Sequence, residues 1–245
     1  MSDTTADTNL IVSIRDTLGQ FVDYIPVCPE VDCGLPVPRE AMRLDGNVEN
    51  LRLVTRKSGR DMTDMMLRWG REKLDLLEKE DLCGFIFRSK SPYSGMAQVR
   101  VCNDKGMSHI NGVGIWAKII MERFPLLPVE EDDGLHDLKV REVFIERIVV
   151  FKRWREEAAD KGKIANLTGF NTRHKLLIMS HSPDIYRKMW RLTANTDGIG
   201  LDNLRHEYNT AIYQSHDPKN HNQEELERAS APAWLLQEKL TSDEK

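Results

Sequence analysis

Apolar and polar positions along the chain change their period near the middle, and the change divides the sequence into two kinds of structure. In the first half, short apolar runs alternate with helical stretches. Tyr24-Ile-Pro-Val27 reads as a short strand cut off by Cys28-Pro29-Glu30, and a Gly- and Pro-rich loop region follows from Gly34 to Gly46. Thr63 reads as the N-cap of a helix reaching about Glu80, with Met66, Trp69, Leu74 and Leu77 at helical spacing. Cys83-Gly-Phe-Ile-Phe87 predicts a buried strand that ends in the loop Ser89–Gly95, and Val99–Val101 a further one. Gly112–Met121 predicts a helix closed by Phe124-Pro125. Strands alternating with helices predict an α/β, Rossmann-like domain around a largely parallel sheet, here residues 1–133.

The acidic breaker Glu130–Asp133 and Gly134 mark the junction, after which every strong signal is helical, giving an all-α domain over 134–245. Val140, Phe144, Ile148 and Phe151 form one apolar stripe, with Arg147, Lys152, Arg153 and Arg155 on other faces. A second helix is expected from Phe170 to Ser180. A third starts at Ser182-Pro183, where serine suits the N-cap and proline the first helical position. From Asp197 onward the chain reads as polar and irregular, with Trp234-Leu-Leu236 its only late apolar cluster.

Charge adds a second asymmetry. Net charge is −6 over residues 1–138, +7 over 139–191 and −5 over 192–245, so a basic block lies between two acidic ones. Such a block is either a solvated helical face or a footprint for a polyanion. No apolar run reaches membrane-spanning length and the first ten residues lack a signal pattern, which makes the cytoplasm the expected compartment. Cys28, Cys33, Cys83 and Cys102 are too sparse for a secreted disulfide framework, leaving core thiols, a nucleophile or metal ligands.

Two loops carry candidate chemistry because each directly follows a predicted strand: Cys28-Pro29-Glu30 and Ser91-Pro92-Tyr93-Ser94-Gly95. Ligands of open α/β sheets bind beyond the carboxyl ends of strands, so the two loops are expected to face one crevice. A thiol, a carboxylate, hydroxyls and backbone N–H groups together suit metal-assisted or acid–base hydrolysis.

These loops also carry a resemblance. IPVCPEVDCGLPVPREAMRL, LCGFIFRSKSPYSGM, GVGIWAK and MERFPLLPVEE resemble, in order and spacing, the thiouracil and thiouridine desulfidases. REVFIERIVVFKRWRE and FNTRHKLLIMSHSPDIYRKMWRLTAN resemble the YbgA-type helical domain often fused behind them; together the matches cover about residues 16–195. The resemblance implies an enzyme that replaces a thiocarbonyl sulfur by oxygen on a [4Fe–4S] cluster held by three cysteines, the fourth iron taking the substrate sulfur. It implies thiouracil, or 4-thiouridine in transfer RNA, as substrate, with the helical domain supplying RNA affinity. Cys28 matches a cluster cysteine, Glu30 the catalytic carboxylate and Ser91 a serine thought to assist the substrate.

The carry-over has gaps. Ser94 stands where the family has a second cluster cysteine, Tyr93 stands at the serine before it, and the family's N-terminal cysteine segment has no counterpart. The chain is therefore expected to be incomplete at both ends relative to the family. It is either a desulfidase or a catalytically decayed relative that acts only as an RNA-binding module. For RNA, the expected contacts are Arg173, His174, Lys175, Arg187, Lys188 and Arg191, with Tyr186 and Trp190 interleaved as core residues or base-stacking groups.

Overall fold

A computed structural model describes residues 19, 21–47, 50–102, 108–156, 164–194 and 201–215. They fall into two compact units, Met1–His136 and Asp137–Lys245. The first is α/β and the second helical.

Unit 1 opens with an irregular stretch over 22–28, where a strand was expected. Tyr24 and Ile25 are exposed there. The one-turn helix α1 (Pro29–Asp32) follows, with Pro29 in its first turn. The Gly- and Pro-rich region then yields a strand, β1 (Met42–Asn47), paired antiparallel with β2 (Asn50–Thr55) from Met42↔Thr55 to Asn47↔Asn50. Helix α2 (Thr63–Leu77) buries Met66, Gly70, Leu74 and Leu77, one stripe at helical spacing. Thr63 is its first residue and not its cap, because the Thr63 hydroxyl accepts the Leu53 N–H at 2.9 Å. Four further strands and a helix complete the unit: β3 (Phe85–Phe87), β4 (Val99–Cys102), β5 (Ser108–Gly112), α3 (Ile115–Arg123) and β6 (Val129–Glu131).

The four-stranded sheet has order β2-β1-β4-β5, with β1 and β4 parallel and both outer pairs antiparallel. A separate pair, β3 and β6, is parallel. The sheet is thus mixed, and its antiparallel content comes from the β1–β2 hairpin and from β5 turning back on β4. Its buried face, Met42, Leu44, Leu53, Val99 and Val101, packs with Met62, Met66 and Ile115. Because β3 and β6 run the same way, the loops leaving their carboxyl ends emerge side by side.

Unit 2 starts at α4 (Leu138–Trp154), capped by the Asp137 carboxylate, which accepts the N–H groups of Lys139 at 2.8 Å and Val140 at 3.4 Å. Its buried residues are Val143, Phe144, Glu146, Arg147, Val150 and Trp154, so Phe144 of the expected stripe is buried, Val140, Ile148 and Phe151 are half-buried, and Arg147 lies in the buried set. Trp154 stacks on Tyr208 at 5.1 Å and meets Phe170 edge-on at 5.4 Å. The expected second helix breaks at His174 into α5 (Ile164–Arg173) and α6 (Lys175–His181). Helix α7 (Pro183–Ala194) starts as expected. The stretch read as irregular forms α8 (Leu201–Ser215), whose Leu204, Tyr208, Ala211 and Ile212 enter the core. The Trp234–Leu236 cluster and residues 1–18 lie outside the described residues. Among those described, no helix is long and apolar enough to cross a membrane.

Candidate functional site

The loop after β3 is held from three sides. At its start, the Asp132 carboxylate accepts the Ser89 N–H at 2.8 Å and pairs with Arg88 at 2.9 Å. At its end, Glu131 accepts the N–H groups of Met96 at 2.7 Å and Ala97 at 3.3 Å. In the middle, the Tyr93 carbonyl accepts the N–H groups of Trp116 at 2.7 Å and Ala117 at 3.2 Å, so it caps the first turn of α3. Gly114 permits that approach: a Cβ there would lie 2.5 Å from the Tyr93 carbonyl carbon and 2.7 Å from the Ser94 nitrogen. Glu131 and Asp132 were legible only as a polar breaker. A three-residue strand ending in carboxylates gives no sequence signal of this role.

Within the loop, the Ser91 hydroxyl accepts the Ser94 N–H at 3.2 Å and the Ser94 hydroxyl at 3.1 Å. Both serines are buried. The Ser94 hydroxyl is therefore closed into a turn with Ser91.

The other loop reaches this one through Glu30. Cys28 is the residue before α1, and its thiol lies 3.7 Å from Glu30 Oε2. Glu30 Oε1 accepts from Arg39, at 3.1 Å from Nε and 2.7 Å from Nη2, and also from the Tyr93 hydroxyl. Tyr93 thus bridges Cys28-Pro29-Glu30 to Ser91–Gly95, and the two loops converge. Lys73 of α2 pairs with Asp32 at 3.4 Å, tying α1 to the sheet-covering helix. The Cys33 thiol contacts the Glu30 carbonyl at 3.4 Å, and burial pushes its pKa up. Arg39 and the hydroxyl of Tyr93 hold Glu30 and the sequence reading passed over them; Arg39 sits in a Pro-rich stretch without periodicity.

The residues present do not fit a [4Fe–4S] cluster. Three thiolates are needed, yet a hydroxyl bonded to Ser91 occupies position 94, and serine is a poor ligand for iron that prefers thiolate. The whole sequence has four cysteines, and among the described residues no three His, Cys, Asp or Glu side chains are grouped to hold a metal ion.

In unit 2, Arg173, Lys175, Arg187, Lys188 and Arg191 are exposed. Arg187 pairs with Asp184 at 2.8 Å and Lys188 with Glu207 at 3.7 Å. His174 is not available to a ligand on the surface: it is 4% exposed, its ring stacks on Phe170 at 4.0 Å, and its Nδ1 lies 3.0 Å from the Phe170 carbonyl oxygen. Trp190 is 47% exposed, while Tyr186 packs against the core.

Comparison with known proteins adds the following. The family model described as 2-thiouracil desulfurase matches residues 6–132. A second, described as a protein of unknown function (DUF1722), matches residues 175–245. Among solved structures the chain is similar to a [4Fe–4S]-dependent thiouracil desulfidase, TudS, with 28% identity, 52% of this chain and 79% of that chain covered, and a TM-score of 0.39. No curated protein matches.

Proposed function

This chain belongs to the 2-thiouracil desulfurase family, whose model spans half of it, and from that premise we propose that it binds a thiolated uracil between the Cys28-Pro29-Glu30 and Ser91–Gly95 loops. The base is taken free or as 4-thiouridine in transfer RNA, and the protein works in the cytoplasm. The exposed cations of α5 to α7 supply contacts to the RNA backbone.

The observation that carries this reading is the Tyr93 hydroxyl on Glu30, which brings the two family motifs together. Membership supports the ligand class, and the donor set decides how far the chemistry goes. Exchanging a thiocarbonyl sulfur for oxygen adds water and releases hydrogen sulfide. Glu30 carries a carboxylate able to accept a proton from water, and the Cys28 thiol lies beside it. Among the described residues no group of thiolates is gathered to draw sulfur off as a leaving group. The reading is therefore recognition of the thiolated base without iron–sulfur turnover, a decayed relative of the desulfidases that still binds RNA.

The test is anaerobic reconstitution of the full chain with ferrous iron and sulfide, followed by incubation with 4-thiouridine-containing transfer RNA. The expected product is a colourless protein that binds the RNA in a salt-sensitive way and leaves 4-thiouridine intact. A brown protein that converts 4-thiouridine to uridine overturns the binding-only reading. Absence of any affinity for both thiouracil and transfer RNA at low salt overturns recognition itself.

A further inference from the structure

The two oxygens of Glu30 are not equivalent. Oε1 accepts from two Arg39 nitrogens and the Tyr93 hydroxyl, whereas among the described residues Oε2 meets the Cys28 thiol alone, at a distance of 3.7 Å. A thiol at that range is a weak partner, so Oε2 keeps nearly its full capacity to accept a hydrogen bond. The Glu30 side chain is only 13% exposed, which strengthens any charge-assisted bond made there.

We propose that Glu30 Oε2 is the atom that reads the base, accepting the ring N–H of a thiolated uracil, and that Arg39 and Tyr93 are positioning residues that fix the carboxylate for it. This deepens the binding reading above and rests on it. Uracil-type rings carry a donor N–H beside the thiocarbonyl carbon, and N1-substituted cytosine-type rings carry an acceptor nitrogen in the same place. A carboxylate pinned through Oε1 accepts from the first and repels the second. The pin has two independent attachments. Arg39 holds Oε1 through two of its nitrogens, and Tyr93 fixes the reach of the carboxylate, because the Tyr93 backbone is itself anchored on the first turn of α3. Sequence position agrees with this division: Arg39 follows Glu30 by nine residues on one loop, and Tyr93 comes from the other. An ordered cluster is not needed to align the loops, since the side chains do so.

Equilibrium dialysis of the full chain tests this with three probes: 4-thiouracil, its N3-methyl derivative and 1-methyl-2-thiocytosine. The expected result is that wild type prefers 4-thiouracil over either analogue by about tenfold or more, the value of one charge-assisted hydrogen bond. Glu30→Gln should collapse that preference, because the amide can donate as well as accept. Tyr93→Phe and Arg39→Met should each narrow the ratio several-fold, with Arg39→Lys recovering less than half of the loss. The ratio is the decisive readout, since general loosening of the loops weakens all three probes alike. Equal binding of 4-thiouracil and its N3-methyl derivative, or an unchanged ratio in both Tyr93→Phe and Arg39→Met, overturns the inference while leaving thiouracil recognition standing. Failure of wild type to bind any of the three overturns both.

Discussion

Gly114→Ala is the sharpest single test of how the site loop is seated. Gly114 has φ −62° and ψ 145°, a conformation that alanine adopts without strain. On backbone grounds alone the substitution would stabilise by about 0.4–1 kcal/mol through the unfolded state. The added Cβ, however, would sit 2.5 Å from the Tyr93 carbonyl carbon, 2.6 Å from its oxygen and 2.7 Å from the Ser94 nitrogen. All three are backbone atoms, so no side chain can swing aside. Restoring ordinary carbon contact requires the loop to retreat by roughly 1 Å. That movement stretches the bonds from the Trp116 and Ala117 N–H groups to the Tyr93 oxygen, and the one from the Gly114 N–H to Gly95. Overpacking of this kind costs about 1–3 kcal/mol, so the net loss is about 1–2 kcal/mol. Gly59→Ala is the matched control: its φ is +66° and nothing lies within 4 Å of the new Cβ. It should cost about 1–2 kcal/mol from backbone strain alone. The two variants thus look alike in a urea melt and differ in amide hydrogen exchange. Gly114→Ala should speed exchange at Trp116, Ala117 and residues 91–95, and Gly59→Ala should leave these amides at wild-type rates. Unchanged exchange at Trp116 and Ala117 in Gly114→Ala would show that the Tyr93 carbonyl does not cap α3, and the convergence of the two loops would lose its anchor.

Two further outcomes follow from packing and charge. Trp154→Ala, removing a ring that is 2% exposed and meets both Tyr208 and Phe170, should lower the unfolding free energy by about 3–5 kcal/mol in a denaturant titration, with exchange in β1 and β2 unaffected. In unit 1, the Ser58 hydroxyl and nearby backbone N–H groups hold the Glu40 carboxyl below its usual pKa, and the Thr63 hydroxyl and N–H, with Arg52, do the same for Asp61. Depressed carboxylates contribute stability that is present above the unfolded-state pKa, around pH 4, and lost as pH falls through the folded-state value. Glu40→Gln with Asp61→Asn should therefore lower stability in the neutral region and flatten the acid limb, so that variant and wild type converge as pH falls below about 4.

Much of this was legible where periodicity and packing agree. The stripe Met66, Leu74, Leu77 gave α2, and Ser182-Pro183 gave the start of α7, because a local signal and a tertiary need coincide there. The failures have separate physical causes. Met42–Asn47 hid as a loop because Gly46 sits in the strand as it enters its hairpin, and pairing with β2 and β4 outweighs weak local propensity. Tyr24–Val27 looked like a strand because a short apolar run has strand propensity whether or not it is buried, and here Tyr24 and Ile25 are exposed. Leu204, Tyr208, Ala211 and Ile212 do repeat at helical spacing, yet polar neighbours masked them. At the candidate site, Cys28, Glu30 and Ser91 were singled out from their loops, whereas Arg39 was not. A cation nine residues from its carboxylate acquires meaning only when the chain between them turns back.

The basic surface of unit 2 allows a quantitative argument from the corrected residue set. With His174 in the core, five exposed cations remain: Arg173, Lys175, Arg187, Lys188 and Arg191. The partners of Arg187 and Lys188 do not remove them from use. Exposed ion pairs such as Arg187–Asp184 are worth about 0–1 kcal/mol and exchange readily for a phosphate. Each phosphate neutralised contributes about −0.7 to −0.9 to the slope of log affinity against log salt. Replacing Arg187, Lys188 and Arg191 by glutamine should therefore make the slope for transfer RNA shallower by about 2 to 3. Trp190→Ala, by contrast, should weaken binding with little change in slope, because stacking on an exposed ring displaces few counterions. The two variants separate charge from stacking on one helix. A triple variant with the wild-type slope would mean that α7 does not meet the RNA backbone, and the positive block in the sequence would be a solvated face.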